Sequence, residues 1–187
     1  MSLFDDVKNN PKYTPANSIQ WFQHYVTNAF RNMGTQKFLG LNQPQQTSLV
    51  VPGKMIFFGY DPKGKDELPF YDKFPLLLPF NADSTHFIGL NLHYLPPLKR
   101  ILILDNLLNF SINKTINPKK KIQLSWELLK TVSNNKAISF CVKKYLFGHV
   151  KTRFVTVKTD DWVIASMLPL ARFSKATEQQ VWRKISR

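Results

Sequence analysis

The residues of this 187-residue chain best suited to chemistry are cations set beside aromatic rings. Lys143-Lys144-Tyr145 with Phe147, Lys151 and Arg153 with Phe154, Arg172-Phe173 with Lys175, and Trp182-Arg183-Lys184 all show the mixture. A cation can neutralise a phosphate while a neighbouring ring lies against a base or a terminal base pair, so these stretches suit contact with nucleic acid. Lys143, Lys144, Lys151, Arg153, Arg183 and Lys184 are the candidate DNA-binding residues. No helix carries a set of base-reading side chains, so contact is expected with the backbone of double-stranded DNA and without regard to sequence. The plainer alternative puts the rings in the core and only the cations outside, which still leaves a sequence-independent electrostatic contact.

Signals for catalysis are poorer. The chain has no Gly-rich phosphate loop, no Gly-x-Ser-x-Gly elbow and no His-Glu-x-x-His pair. Asp61, Asp66, Glu67 and Asp72, with Lys63, Lys65 and Lys73, could hold a metal for phosphodiester hydrolysis, but they occupy turn sequences whose polarity needs no catalytic explanation. His24, His86, His93 and His149 lie far apart and lack metal-ligand spacing, so each is expected to be hydrogen-bonded in the core or at the surface. Cys141, the only cysteine, sits in the apolar run from Ala137 to Val142 and reads as a small buried hydrophobe. It cannot form an internal disulfide, which suits assembly in a reducing, intracellular setting. No catalytic residue, metal or cofactor is therefore assigned, and the chain reads as a non-enzyme.

Charge is distributed unevenly. Of the formal net +14, residues 1–113 supply +2, from ten basic and eight acidic side chains. Residues 114–187 supply +12, with only Glu127, Asp160, Asp161 and Glu178 against sixteen cations. Such a polarised field attracts polyanions, nucleic acid first, although a solvated basic surface or acidic protein neighbours in an assembly would also account for it. No run of about eighteen apolar residues occurs, so no transmembrane helix and no membrane partner are expected. The N-terminus MSLFDDVKNN has neither a basic nor an apolar signal region, so no secretory signal is expected either.

The elements that must position these cations centre on Lys54 to Leu95. Met55 to Tyr60, Phe74 to Phe80 and Phe87 to Tyr94 are aromatic-rich runs bounded by Gly, Pro, Asp and Asn, the pattern of short strands between turns. Asp61-Pro62-Lys63-Gly64-Lys65 has turn grammar, with Gly64 expected to supply a positive φ. Two prolines in Phe74 to Phe80 predict an edge strand, or one interrupted at its ends. Arg153 to Lys158 alternates and is expected to return to this sheet. The fold class expected is α+β: a small SH3-like antiparallel β-barrel, about residues 50–95 and 152–158, with an N-terminal helix and a basic, mainly helical C-terminal part.

Around that core, residues 1–17 read as an extended arm and residues 18–187 as a single α+β domain. A helix capped at Asn17 or Ser18 ends at Gly34. Pro97 begins another that runs to about Phe110, with the basic pair Lys99-Arg100 at its N-terminal end, against the dipole preference and so a hint of another use. Ile122 to Val132 is helical in period. A short helix from Lys136 to Gly148 places Ile138, Val142, Tyr145 and Leu146 inward and Lys143 and Lys144 outward. Asp160-Asp161 open a helical turn, and Thr177 caps a last helix with Gln180 three residues on, in a capping-box pattern.

Two blocks, MIFFGYDPKGKDELPFYDKFPLLLPF with FIGLNLHYLPP and TRFVTVKTDDWVIASMLPLARFSKATEQQVWR, resemble the DNA end protector proteins of tailed phages with T-even-like virions. The resemblance covers about half of the chain. It implies a virion protein, assembled in the host bacterial cytoplasm, that sits at the terminus of the packaged genome and shields it from exonuclease. Its partners would be double-stranded DNA and other virion proteins of the neck, portal or baseplate, with oligomers possible within the particle. A structural neck or baseplate protein, whose basic face meets other virion subunits, is the competing expectation. No individual functional residue carries over from the family.

Overall fold

The computed structural model describes residues 46–47, 49–112, 136–157, 162–167 and 170–185. The expected arm over residues 1–17, the helix to Gly34 and the helical segment from Ile122 to Val132 lie outside them.

Among the described residues, eight strands form two antiparallel sheets. Strands β1 (Gln46–Thr47), β2 (Ile56–Phe57), β4 (Leu76–Ala82), β5 (His86–Asn91), β6 (Val142–Leu146) and β7 (Phe154–Thr156) make one six-stranded sheet in the order β1-β7-β2-β4-β5-β6. Strands β3 (Tyr71–Asp72) and β8 (Phe173–Ser174) make a second, small one. The return of the Arg153 stretch is as expected, with Phe57 opposite Val155 and Ile56 opposite Thr156. Four α-helices among the described residues accompany the sheets: α1 (Pro97–Ile112), α2 (Lys136–Ser139), α3 (Trp162–Met167) and α4 (Glu178–Ile185).

Leu76, Leu77 and Leu78 are all buried because β4 has core on both faces. Leu76 and Leu78 join Met55, Leu90, Leu92, Leu95, Leu104, Trp162 and Val181. Leu77 joins Ile56, Phe58, Tyr60, Phe87, Tyr145 and Phe154 on the other side. Each such leucine contributes about 1.5–3 kcal/mol of transfer free energy.

Three expectations are corrected. First, β4 is central, not an edge strand, and the alternative of an interrupted strand fits it better, since it starts after Pro75 and shifts register past Pro79. The Pro79 carbonyl accepts the Gly53 N–H at 2.8 Å, so that residue's missing N–H faces the β2 side beyond the end of that short strand. The β5 ladder loses no bond to it and absorbs the irregularity as a register shift between Pro79 and Asn81. Second, no ladder joins β1 to β6 among the described residues, so the SH3-like barrel is not closed. Third, Val142–Leu146 is a strand and not the continuation of a helix from Lys136. The helix stops at Ser139, the Cys141 N–H bonds back to Ile138, and the chain pairs with β5 from Leu90↔Val142 to His86↔Leu146. The exposed edge of β5 offers more hydrogen bonds than the weak local helical period, so tertiary pairing wins. Accordingly the described C-terminal part mixes short helices with strands and is not mainly helical.

Other readings hold with small changes. The first loop does turn at Lys63 to Glu67, but Gly53, not Gly64, is the glycine with positive φ (80°) among those described. The last strand of the central stretch ends at Asn91, whose side chain caps a 3-10 turn over Leu92–Tyr94. Cys141 is buried, and burial pushes its thiol up to about 12, so it is inert. No helix among the described residues is long and apolar enough to cross a membrane.

Candidate nucleic-acid interface

Helix α4 carries two of the predicted cations, and its start is built as the sequence indicates. Gln180 N–H donates to Thr177 Oγ1 at 3.3 Å, and Thr177 N–H donates to Gln180 Oε1 at 2.8 Å. This reciprocal cap satisfies two otherwise orphaned donors. Val181 points into the core, and the indole N–H of Trp182 donates to the His93 carbonyl at 3.0 Å. With those residues anchored, Arg183 and Lys184 are left exposed in the last turn, where the helix dipole favours positive charge.

A pocket of about 320 Å³ opens beside them, lined by Pro69, Phe70, Lys175, Ala176, Gln180, Arg183 and Lys184. The Lys184 ammonium stands 5.2 Å from the centre of the Phe70 ring. Lys175 shapes the floor in the left-handed region (φ 65°), a conformation that costs a lysine about 1–2 kcal/mol. Its ammonium offsets that cost by donating to the carbonyls of Lys65, Asp66 and Leu68 at 2.9, 2.8 and 3.2 Å. Those three bonds tie the loop after β2 to the approach to α4.

Phe70 belongs to a cluster of four rings with Tyr94, Phe140 and Phe173, whose neighbouring centroids are 5.0–6.3 Å apart. Lys143, on β6, enters the same cluster from another side, its ammonium 4.3 Å from the Tyr94 ring and 4.5 Å from that of Phe140. Burial lowers its pKa. A cation kept in a partly dry place against ring faces is stabilised by their quadrupoles, by about 0.5–2 kcal/mol.

Residues 1–185 match the family described as phage T4 terminal DNA protecting protein. The chain belongs to that family. The match spans nearly the whole chain, where the resemblance read from the sequence covered about half. No curated protein and no solved structure matches it.

For a member of a DNA-end protecting family, the placement of the six predicted cations is informative. Lys143, Arg183 and Lys184 are gathered around the ring cluster and its pocket. Lys144 follows Lys143 on a strand and so takes the opposite face, where it is exposed. Lys151 and Arg153 are exposed in the segment leading to β7, where the Lys151 N–H donates to the Gly59 carbonyl. The six therefore occupy several faces rather than one. Phe70, Pro69 and Gln180 were absent from the sequence reading of the site, and Lys175 entered it only as part of a basic-aromatic stretch. Proximity of Lys175 to the Thr177 cap was the one signal available.

The acidic cluster considered for hydrolysis does not assemble. Asp61 pairs with Lys65 at 3.3 Å in an exposed turn, while Asp72 is buried elsewhere against His93. Among the described residues no group of three His, Cys, Asp or Glu side chains could hold a metal. The hint in Lys99-Arg100 resolves structurally: Arg100 is 2% exposed, and its guanidinium donates to the carbonyls of Leu95, Ser166 and His93 at 2.7, 2.7 and 3.4 Å. Burial lowers its pKa to about 10, still charged at neutral pH.

Proposed function

We propose that this protein is a non-enzymatic component of the phage virion that binds packaged double-stranded DNA near its end, without regard to sequence, and shields that end from exonuclease. One observation carries the reading beyond the family description: Lys143, Lys144, Lys151, Arg183 and Lys184 have no ion pair with any carboxylate of the described residues. Cations without a carboxylate partner among the described residues suit phosphates, and the counterions that such contacts release supply affinity that ignores base sequence. Pro69, Ala176 and the edge of Phe70 line the pocket beside Arg183 and Lys184 and add a small apolar surface next to those cations. The protein would be assembled in the host cytoplasm beside neck or portal subunits.

The test is exonuclease digestion of a linear duplex with increasing protein, at several salt concentrations, alongside binding to the same DNA closed into a circle. Protection that falls steeply with salt, with linear DNA preferred over the circle, is expected. Protection indifferent to salt, or equal affinity for the circle, overturns the reading.

A further inference from the structure

We infer that the pocket between Pro69-Phe70 and α4 holds a terminal phosphomonoester of DNA with its attached nucleoside, the phosphate on Arg183 and Lys184 and the nucleoside against Pro69, Phe70 and Ala176. The inference rests on the end-binding reading and specifies which chemical feature of an end is read. About 320 Å³ lies at the small end of ligand pockets, which run from ~300 to ~1,000 Å³, so the space suits one nucleotide and no more of the duplex. Its lining is divided: a proline, a phenylalanine and an alanine form an apolar wall, and three cations with an amide form the rest. A nucleotide has the same two-part character.

The charges differ in availability. Lys175 has its three donors taken by the carbonyls of Lys65, Asp66 and Leu68, so it lends field without a hydrogen bond. Arg183 and Lys184 have no ion pair with a described carboxylate, and a guanidinium can grip two phosphate oxygens at once. A phosphomonoester carries about −1.5 to −2 charge at neutral pH, against −1 for each internal phosphodiester, and it occurs only where a strand ends or is nicked. Two cations without a carboxylate partner among the described residues, in a nucleotide-sized pocket, therefore favour a terminus over the DNA interior by charge as well as by shape.

The experiment measures affinity of the full chain for blunt duplexes of one sequence ending in 5′-phosphate, in 3′-phosphate or in hydroxyls only, and for a closed circle, with thymidine 5′-monophosphate as competitor. A preference of about tenfold for one kind of phosphorylated end is expected. The preference should disappear in Arg183→Ala and Lys184→Gln, both exposed positions beyond the helix cap. Lys144→Ala, which removes one charge elsewhere, should weaken all the DNAs alike and leave the preference intact. Equal binding of phosphorylated and hydroxyl ends, or a preference that survives both pocket variants, overturns the pocket assignment while end binding stands. Equal binding of ends and circle overturns both.

Discussion

Nδ1 of His93 lies 2.7 Å from Oδ2 of Asp72, with neither side chain more than 1% exposed. The carboxylate also accepts the Asn91 amide at 3.2 Å and the backbone N–H groups of Phe74 and Arg172 at 3.0 and 3.4 Å. The His93 carbonyl in turn receives Trp182 of α4 and Arg100 of α1. This buried junction joins both sheets to the helix that bears Arg183 and Lys184, so the candidate pocket depends on it.

Asp72→Ala should cost about 3–5 kcal/mol in urea unfolding, since it strands a buried imidazole and several donors. Burial alone would raise the Asp72 carboxyl, but His93, the Phe74 N–H and the Asn91 amide outweigh it and hold the pKa below the ordinary value. A depressed carboxylate adds stability in full above its unfolded pKa of about 3.9 and loses it as pH falls through the folded value. The urea midpoint should therefore drop on acidification below about pH 4, and drop less in Asp72→Asn. An unchanged acid limb in the variant would refute the assignment.

Arg100→Met should destabilise by about 2–4 kcal/mol, because the carbonyls of Leu95 and Ser166 each lose a buried donor. Arg100→Lys should recover little, since a single ammonium does not reproduce the guanidinium fork. Thermal melts of the two variants decide it.

Gly89→Ala should cost at least about 1–3 kcal/mol. A Cβ there would stand 2.6 Å from the Leu78 carbonyl oxygen and 2.8 Å from the Cα of Pro79, backbone that cannot move aside without breaking the β4–β5 ladder. Chemical denaturation of the variant measures the loss.

Lys143→Met should change stability little, because the burial that disfavours the ammonium and the Tyr94 and Phe140 ring faces that stabilise it offset each other. DNA affinity should nevertheless fall, and the slope of log affinity against log salt should flatten by about 0.9 if the ammonium meets a phosphate. A flattened slope without lost stability separates a binding role from a packing one.

Thr177→Ala should cost about 1 kcal/mol by removing the cap of α4. Amide exchange within that helix should speed up before exchange in β4 or β5 changes.

Much of this arrangement was legible along the chain. The strands near Met55, Leu76 and Phe87, the helix opened by Pro97, the Thr177-Gln180 cap, the burial of Cys141 and the cationic C-terminal part all follow from local period, turn chemistry and composition. These signals act between residues a few positions apart, so they survive without knowledge of the rest of the fold. Other features were decided only by folding. Pro79 sits in a central strand because β2 is too short to need its N–H, and Val142–Leu146 is extended because β5 had an open edge. Arg100 is buried because the Ser166 carbonyl of α3, 66 residues away, meets those of His93 and Leu95 around it, and the pocket exists because Lys175 ties a loop 107 or more residues distant in sequence to the start of α4. Each of these depends on a partner remote in the chain, whose identity local periodicity does not carry.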